Sequence, residues 1–404
     1  MKKILITIGL YCSFIFGSSA QDYQAQSDSD FVKRKLKIEE VNLIEGYYHQ
    51  NGNNSAITGG IGSELLHDFE NSLDVVLTKE DRYGRKHSIS IDANIDFYTS
   101  ASSDKIDPLT IGSASSNDWH LYPSISWSVE DEKTGITQSL SYAFSREFDY
   151  KSHGFTAGIN FQSKDKNRDL NLRGSAFIDT YMAILPAELR SMTYPSGAKT
   201  DRVGISFKGR NTFAFASSLS QVITDRLQLL VMVEPAYQQG FLSTPFHRVY
   251  FSNGDVTTEK LPAERLKIPI GFRGSYFLGD RIVLRGFYRF YSDDWGMIAH
   301  TGSLEVPYKF TPFLSISPFA RYNIQGKVRY FRPYGYHDVN SEFYTSDYDL
   351  STFSSWFVGS GLRMSPPGGI LGISHINSME LRYGYYTRSN GMQAHSVTVA
   401  FKFK

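Results

Sequence analysis

Hydrophobic and polar residues alternate along most of this chain. Between His87 and Tyr98, Ile89, Ile91, Ala93, Ile95 and Phe97 fall on one side of an extended backbone, while Ser88, Ser90, Asp92, Asn94, Asp96 and Tyr98 fall on the other. This period-two pattern belongs to a strand with two chemically different faces. The last segment repeats it, with Val397, Val399, Phe401 and Phe403 alternating with Ser396, Thr398, Ala400 and Lys402. The alternation predicts strands at 41–50, 72–79, 87–98, 119–129, 136–148, 155–163, 169–180, 211–220, 227–238, 266–277, 282–291, 298–309, 314–325, 353–364, 379–387 and 392–403. That is about sixteen strands, with fourteen or eighteen as alternatives; an even number suits a single-chain bacterial barrel. From Val41 onward no apolar stretch reaches the ~20 residues of a spanning helix, and none carries a helical stripe.

The links between segments sort into two kinds. Short polar turns at 80–85, 130–135, 163–168, 224–226, 278–281 and 311–312 hold the Gly, Pro, Asn and Asp of tight hairpins. Long links at 51–71, 99–118, 181–210, 239–265 and 326–352 fall between them. If the chain starts in the periplasm, every long link is extracellular, the asymmetry of an outer-membrane barrel. Two links on that side are short (148–153 and 292–296), and one on the other side, 365–378, is extended by Pro366 and Pro367. The expected fold is therefore all-β, a transmembrane antiparallel up-and-down β-barrel whose last strand pairs with 41–50 and turns its odd-numbered residues to lipid.

Composition strengthens this picture. The chain has 404 residues, of which 15% are aromatic, including 26 Tyr and 29 Phe, yet only 41% are hydrophobic; many aromatics with little continuous apolar sequence suit alternating strands edged by aromatic girdles. A net charge of +1 gives no electrostatic reason to expect nucleic acid as a partner. Met1 Lys2 Lys3, the apolar run from Ile4 to Phe16 and Ser18 Ser19 Ala20 read as a signal peptide cut after Ala20. The domains are then residues 1–20 as signal peptide, 21–40 as periplasmic tail and 41–404 as barrel. The one cysteine, Cys12, lies in the signal, so disulfides, thiolate metal sites and a cysteine nucleophile are excluded from the mature chain.

The candidate lumen lining is the polar face of each strand. Early and middle strands place acids there, Asp92, Asp96, Asp179 and Glu234, and later strands place bases, Lys267, Arg273, Arg285, Arg289, Arg321 and Arg382. Around a closed barrel these arcs face one another, either as a constriction with a transverse field or as charges that pair across a filled lumen. The aromatic and charged long links, such as 244–251, 331–334 and 341–349, suit either solute contact or a packed lid over the barrel. A hydrolase reading rests only on His300 and Ser303 and is weak. No cluster has metal-ligand spacing, and no enzyme activity or cofactor is expected.

Several stretches resemble one family, among them Asn53 Asn54 Ser55 Ala56 Ile57 Thr58 Gly59 Gly60 Ile61 Gly62, Leu185 Pro186 Ala187 Glu188 Leu189 Arg190, Gly240 to Phe251, Asp293 Asp294 Trp295 Gly296 and Glu380 to Gly391. They are similar to the domain of unknown function 3570 family of bacterial outer-membrane proteins. The resemblance implies a barrel without an established activity, and it implies a periplasmic redox partner, since members are encoded near exported flavin-transfer and thioredoxin-like proteins. The expected role is a porin-like channel or transporter for a small polar solute; the alternative is a non-conducting barrel anchoring an extracytoplasmic assembly. Outer-membrane lipid, the barrel-assembly machinery and a periplasmic partner held by the N-terminal tail are the partners expected.

Overall fold

The structure is a computed structural model that describes residues 35–99, 117–189 and 205–403. The expected signal peptide, the tail up to residue 34, and residues 100–116 and 190–204 of the two links lie outside the described residues. Sixteen antiparallel strands form one closed barrel. They are β1 (Lys37–Asn51), β2 (Leu66–Glu80), β3 (Lys86–Thr99), β4 (Asn117–Leu121 with Ser124–Asp131), β5 (Ile136–Arg146), β6 (Tyr150–Gln162), β7 (Arg168–Ile184) and β8 (Ile205–Thr224). They continue as β9 (Leu227–Val233 with Ala236–Gly240), β10 (Glu264–Leu278), β11 (Ile282–Asp293), β12 (Ile298–Glu305 with Tyr308–Thr311), β13 (Leu314–Gln325), β14 (Phe353–Met364), β15 (Ile376–Arg388) and β16 (Gln393–Phe403).

Each strand pairs with its sequence neighbours, and β16 closes on β1 in a register running from Val41 opposite Phe403 to Asn51 opposite Gln393. The predicted seam is present, and all sixteen predicted segments correspond to strands. Several strands are longer than their alternation, notably β7 and β8. The breaks within β4, β9 and β12 fall at Pro123, Pro235 and Pro307. Proline has no N–H to give the ladder. Its carbonyl still accepts, from Phe144 N, Phe215 N and Val283 N at 3.0 Å each, so pairing resumes within two residues.

Side-chain alternation assigns the faces. Ile91, Phe97, Ile125, Trp127, Phe155, Phe213, Phe272, Leu304, Val358 and Leu381 project outward and are exposed, an apolar surface that only lipid satisfies. At the loop-side edge of this belt one side-chain pair recurs in four hairpins. A tyrosine hydroxyl shares a hydrogen bond with Nδ1 of a histidine placed diagonally on the following strand: Tyr47 with His67 at 2.9 Å, Tyr142 with His153 at 2.8 Å, Tyr288 with His300 at 2.8 Å and Tyr383 with His395 at 2.9 Å. Rings that are apolar in body and polar at the tip suit a membrane–water boundary. His300 is therefore outward, while Ser303, three residues on, faces the lumen and pairs with Arg321 in register; the two are not brought together as a catalytic pair.

One carboxylate interrupts the outer face. Glu45 stands opposite Asn71 on β2 and Val399 on β16. Val399→Glu would place a like charge beside it in lipid, whereas Thr398→Glu faces the lumen opposite Arg382. The first substitution should cost up to about 2 kcal/mol and the second close to nothing. Urea-dependent refolding into detergent micelles reads the difference, and equal midpoints for the two variants would overturn the face assignment.

Candidate functional site in the barrel lumen

The inward face divides into two walls. On β2, β3 and the adjoining strands it is acidic. Asp68, Glu70 and Asp74 on β2 stand beside Asp92 and Asp96 on β3. Asp92 accepts from Ser124 Oγ at 2.6 Å, and Asp96 accepts from Tyr122 Oη at 2.9 Å and lies 3.8 Å from His120. Toward the loop-side rim the series continues through Asp118, Glu147 and Asp149, which approach one another closely. Tyr98 donates to Glu147 at 3.1 Å, and the buried Asp118 receives Trp119 N on Oδ1 while Oδ2 has no partner. Asp149, in the turn between β5 and β6, is pushed up to about 6 by burial and then by the charge of Glu147.

Half-way round the barrel, β10 to β15 carry the bases. Lys267 lies in register with Asp293, while Arg273 stacks over Phe287 at 5.9 Å and Arg321 over Phe357 at 5.0 Å. Arg382 is held by Glu305 at 3.1 Å and Glu380 at 3.0 Å, and Arg285 is 3.8 Å from the same Glu305. Arg273, Arg289 and Arg321 have no ion pair among the described residues. Between the two walls, Asp179 is buried against Arg210 at 2.7 Å and Ser152 Oγ at 2.7 Å, and Glu234 stands solvent-exposed beside Pro235. The ten residues named from sequence thus lie on the inward face, some paired and some free. Glu305 and Glu380, absent from that set, make the basic wall mixed in sign. Glu305 lies just before Pro307, where β12 breaks, and Glu380 neighbours Arg382 on β15.

A recess of about 290 Å³ opens in this wall, lined by Glu305, Phe319, Arg321, Phe357, Arg382 and Thr398. Two glycines facing each other across β14 and β15, Gly359 and Gly384, shape it. A Cβ on Gly359 would come within 2.6 Å of Phe319 Cζ, and one on Gly384 within 2.4 Å of the Phe357 ring. Their bareness lets both rings lie flush against the backbone, with Arg382 over Phe319 and Arg321 over Phe357. The recess therefore offers guanidinium donors, one carboxylate and two aromatic faces.

Above the lumen, the long loops on one side converge. Loops L1 to L8 are numbered from the β1–β2 connection to the β15–β16 connection. L5 (residues 241–263), L6 (294–297) and L7 (326–352) share an apolar core of Leu261, Trp295, Met297, Val328 and Phe331. L5 and L7 also exchange backbone hydrogen bonds between Lys260 and Tyr344 at 2.8 and 3.1 Å. From L5, Arg248 forms an ion pair with Glu188 of L4 and donates through Nη1 to the carbonyl of Ile57 in L1 at 2.7 Å. L1 and L5 leave the barrel half a circumference apart. Sixteen tilted strands enclose a bore roughly 30 Å across, so a guanidinium can bridge them only if the loops fold inward over the mouth. At the contact Gly59 and Gly60 have φ of 85° and 88°, and added Cβ atoms there would strike the rings of Tyr250 and Tyr348. The lid anticipated for the aromatic loops is thus present.

A family model described as a protein of unknown function (DUF3570) matches residues 107–400. No curated protein matches the chain at a significant level. Among solved structures, the chain is similar to a BenF-like porin from Pseudomonas fluorescens Pf-5, with 9% identity over 93% of this chain and 100% of that one and a TM-score of 0.45. It is similar also to OccAB1 of Acinetobacter baumannii (9% identity, 93% and 99% coverage, TM-score 0.45) and to OccK7 (OpdD) of Pseudomonas aeruginosa (10%, 92% and 99%, 0.44).

Arg248→Ala removes a side chain that ties L1, L4 and L5 together. It should lower stability by about 2 kcal/mol and expose 52–65 and 241–263 to limited proteolysis; an unchanged digestion pattern would count against a closed lid. For Asp149 the sign follows from its raised pKa. The fold favours the protonated acid, so stability declines as pH climbs from about 4 through 6. Asp149→Asn should be more stable than the parent by up to about 3 kcal/mol at pH 7.5 and nearly equal to it at pH 4, as thermal unfolding across that range would reveal; a pH-independent difference would refute the assignment.

Proposed function

The chain belongs to the DUF3570 family of proteins of unknown function, and on that footing we propose that it is a gated, porin-like channel of the outer membrane for a small polar solute carrying an anionic group. One observation carries the reading: Arg273, Arg289 and Arg321 face the lumen without a carboxylate partner among the described residues. Charges left unpaired inside a membrane protein require water or a charged solute to reach them. The acidic wall on β2 and β3 stands across the bore, so a dipolar solute entering would be turned with its anionic end toward β10 to β15. The recess beside Arg321 and Arg382 is of a size to receive such a group. The loops L1, L4, L5 and L7 serve as the gate.

The second reading, a non-conducting barrel that anchors an extracytoplasmic assembly, draws its support from the same lid, since a mouth spanned by Arg248 resembles a plug. Planar-bilayer recording separates the two. The channel reading expects discrete current steps, a rise in open time for Arg248→Ala, and an anion preference that falls several-fold in Arg289→Glu with Arg321→Glu. Silence from both the parent and Arg248→Ala would remove the channel and leave the anchor.

A further inference from the structure

Within the lid, three side chains from L5 and L7 converge on one point. His247 Nδ1 lies 3.8 Å from Glu259 Oε2 and 4.0 Å from Asp347 Oδ2, and the three donor atoms lie within 4.8 Å of one another. His247 Nδ1 is shielded from solvent and has no hydrogen-bond partner. The Glu259 side chain is only 2% exposed. Neither carboxylate has a lysine or arginine ion partner among the described residues; the imidazole is the sole base against them. The nearby Asp349 adds no relief, being engaged by Arg388.

We propose that His247, Glu259 and Asp347 form a binding site for a divalent transition ion of the zinc type, which clamps L5 to L7 above the barrel mouth. The buried Glu259 and the partly buried Asp347, facing one imidazole nitrogen, would leave net negative charge in a largely shielded place, which a bound cation relieves. Nitrogen with two carboxylate oxygens is the donor set of Zn²⁺ and its neighbours, whereas Mg²⁺ and Ca²⁺ take oxygen alone. The carboxylates are also aimed. Thr244 N donates to Glu259 Oε1 at 2.7 Å, the Thr345 hydroxyl donates to Oε2, and Asp349 N donates to Asp347 Oδ1 at 2.8 Å. Such donors behind a ligand fix its orientation and sharpen affinity. Ligands around zinc stand about 3.4 Å apart, so binding draws His247 Nδ1 toward each carboxylate oxygen by about half an ångström. The site is independent of the solute and of whether the barrel conducts.

The test uses the full chain in detergent, stripped with a chelator and titrated with Zn²⁺ in a calorimeter. One Zn²⁺ per chain is expected, with a rise in unfolding temperature that Mg²⁺ and Ca²⁺ do not reproduce. The isosteric Asp347→Asn and Glu259→Gln and the truncated His247→Ala should each weaken Zn²⁺ binding by about 100-fold, while His300→Ala on the lipid face leaves it unchanged. Heat-modifiable migration on gels confirms that each variant is folded, and X-ray absorption of the zinc-loaded parent should report one nitrogen and otherwise oxygen neighbours. Absence of stoichiometric Zn²⁺ binding to the stripped parent would overturn the site. So would undiminished binding in folded Asp347→Asn and His247→Ala, which would place the ion elsewhere.

Discussion

Every N–H and C=O that meets hydrocarbon must find its partner within the protein, because lipid offers none. For strands this leaves one solution, a sheet without edges, and the rest of the molecule follows from it. The ladder between β1 and β16 removes the last two edges. Each proline in β4, β9 and β12 falls where one missing donor is tolerated at a local break and the carbonyl remains useful. Closure with sixteen strands also sets the bore, which is too wide for wall side chains to fill as they do in eight-stranded barrels. A lumen of that width has to be either open or covered, and the loops decide which.

The loops cover it by the means a soluble domain uses. L5, L6 and L7 bury Trp295, Val328 and Phe331 in a small apolar core. Below it the lumen is lined by polar and charged groups, and these follow a different rule. Arg382 and Arg285 share Glu305, yet Arg321 and Arg273 rest on aromatic faces instead. A guanidinium over a ring is held in place while its N–H groups remain available. Within the basic wall, placement of a guanidinium by a ring is thus separated from its neutralisation by a carboxylate.

The barrel was legible because hydrocarbon imposes alternation directly on sequence. β13 and β14 were read to the residue. β7 and β8 outrun their pattern because above the belt both faces meet water or loop and the alternation loses its cause. The lumenal residues followed from the same parity, whereas Glu305 and Glu380 were missed. The Tyr–His pairs were hidden because they are diagonal contacts whose spacing depends on each hairpin's length: Tyr142 and His153 are 11 apart in sequence, Tyr47 and His67 are 20 apart. His247, Glu259 and Asp347 left no local signal at all, since Asp347 comes from another loop and only the packing of the lid brings it near.

How such a lid could yield is constrained by where its contacts lie. L5, L6 and L7 are joined by the apolar core and by backbone hydrogen bonds at Lys260 and Tyr344, so they move as one body. Against that body L1 and L4 hold on through Arg248 and through Gly59 and Gly60 under Tyr250 and Tyr348. Among the described residues that seam includes an ion pair, a hydrogen bond and two ring contacts, whereas the body is held by an apolar core. An opening that costs about 3 kcal/mol would leave roughly one molecule in a hundred open. The body need not unfold for the mouth to open; it need only part from L1, carrying Arg248 with it and leaving Glu188, already partly solvated, to water.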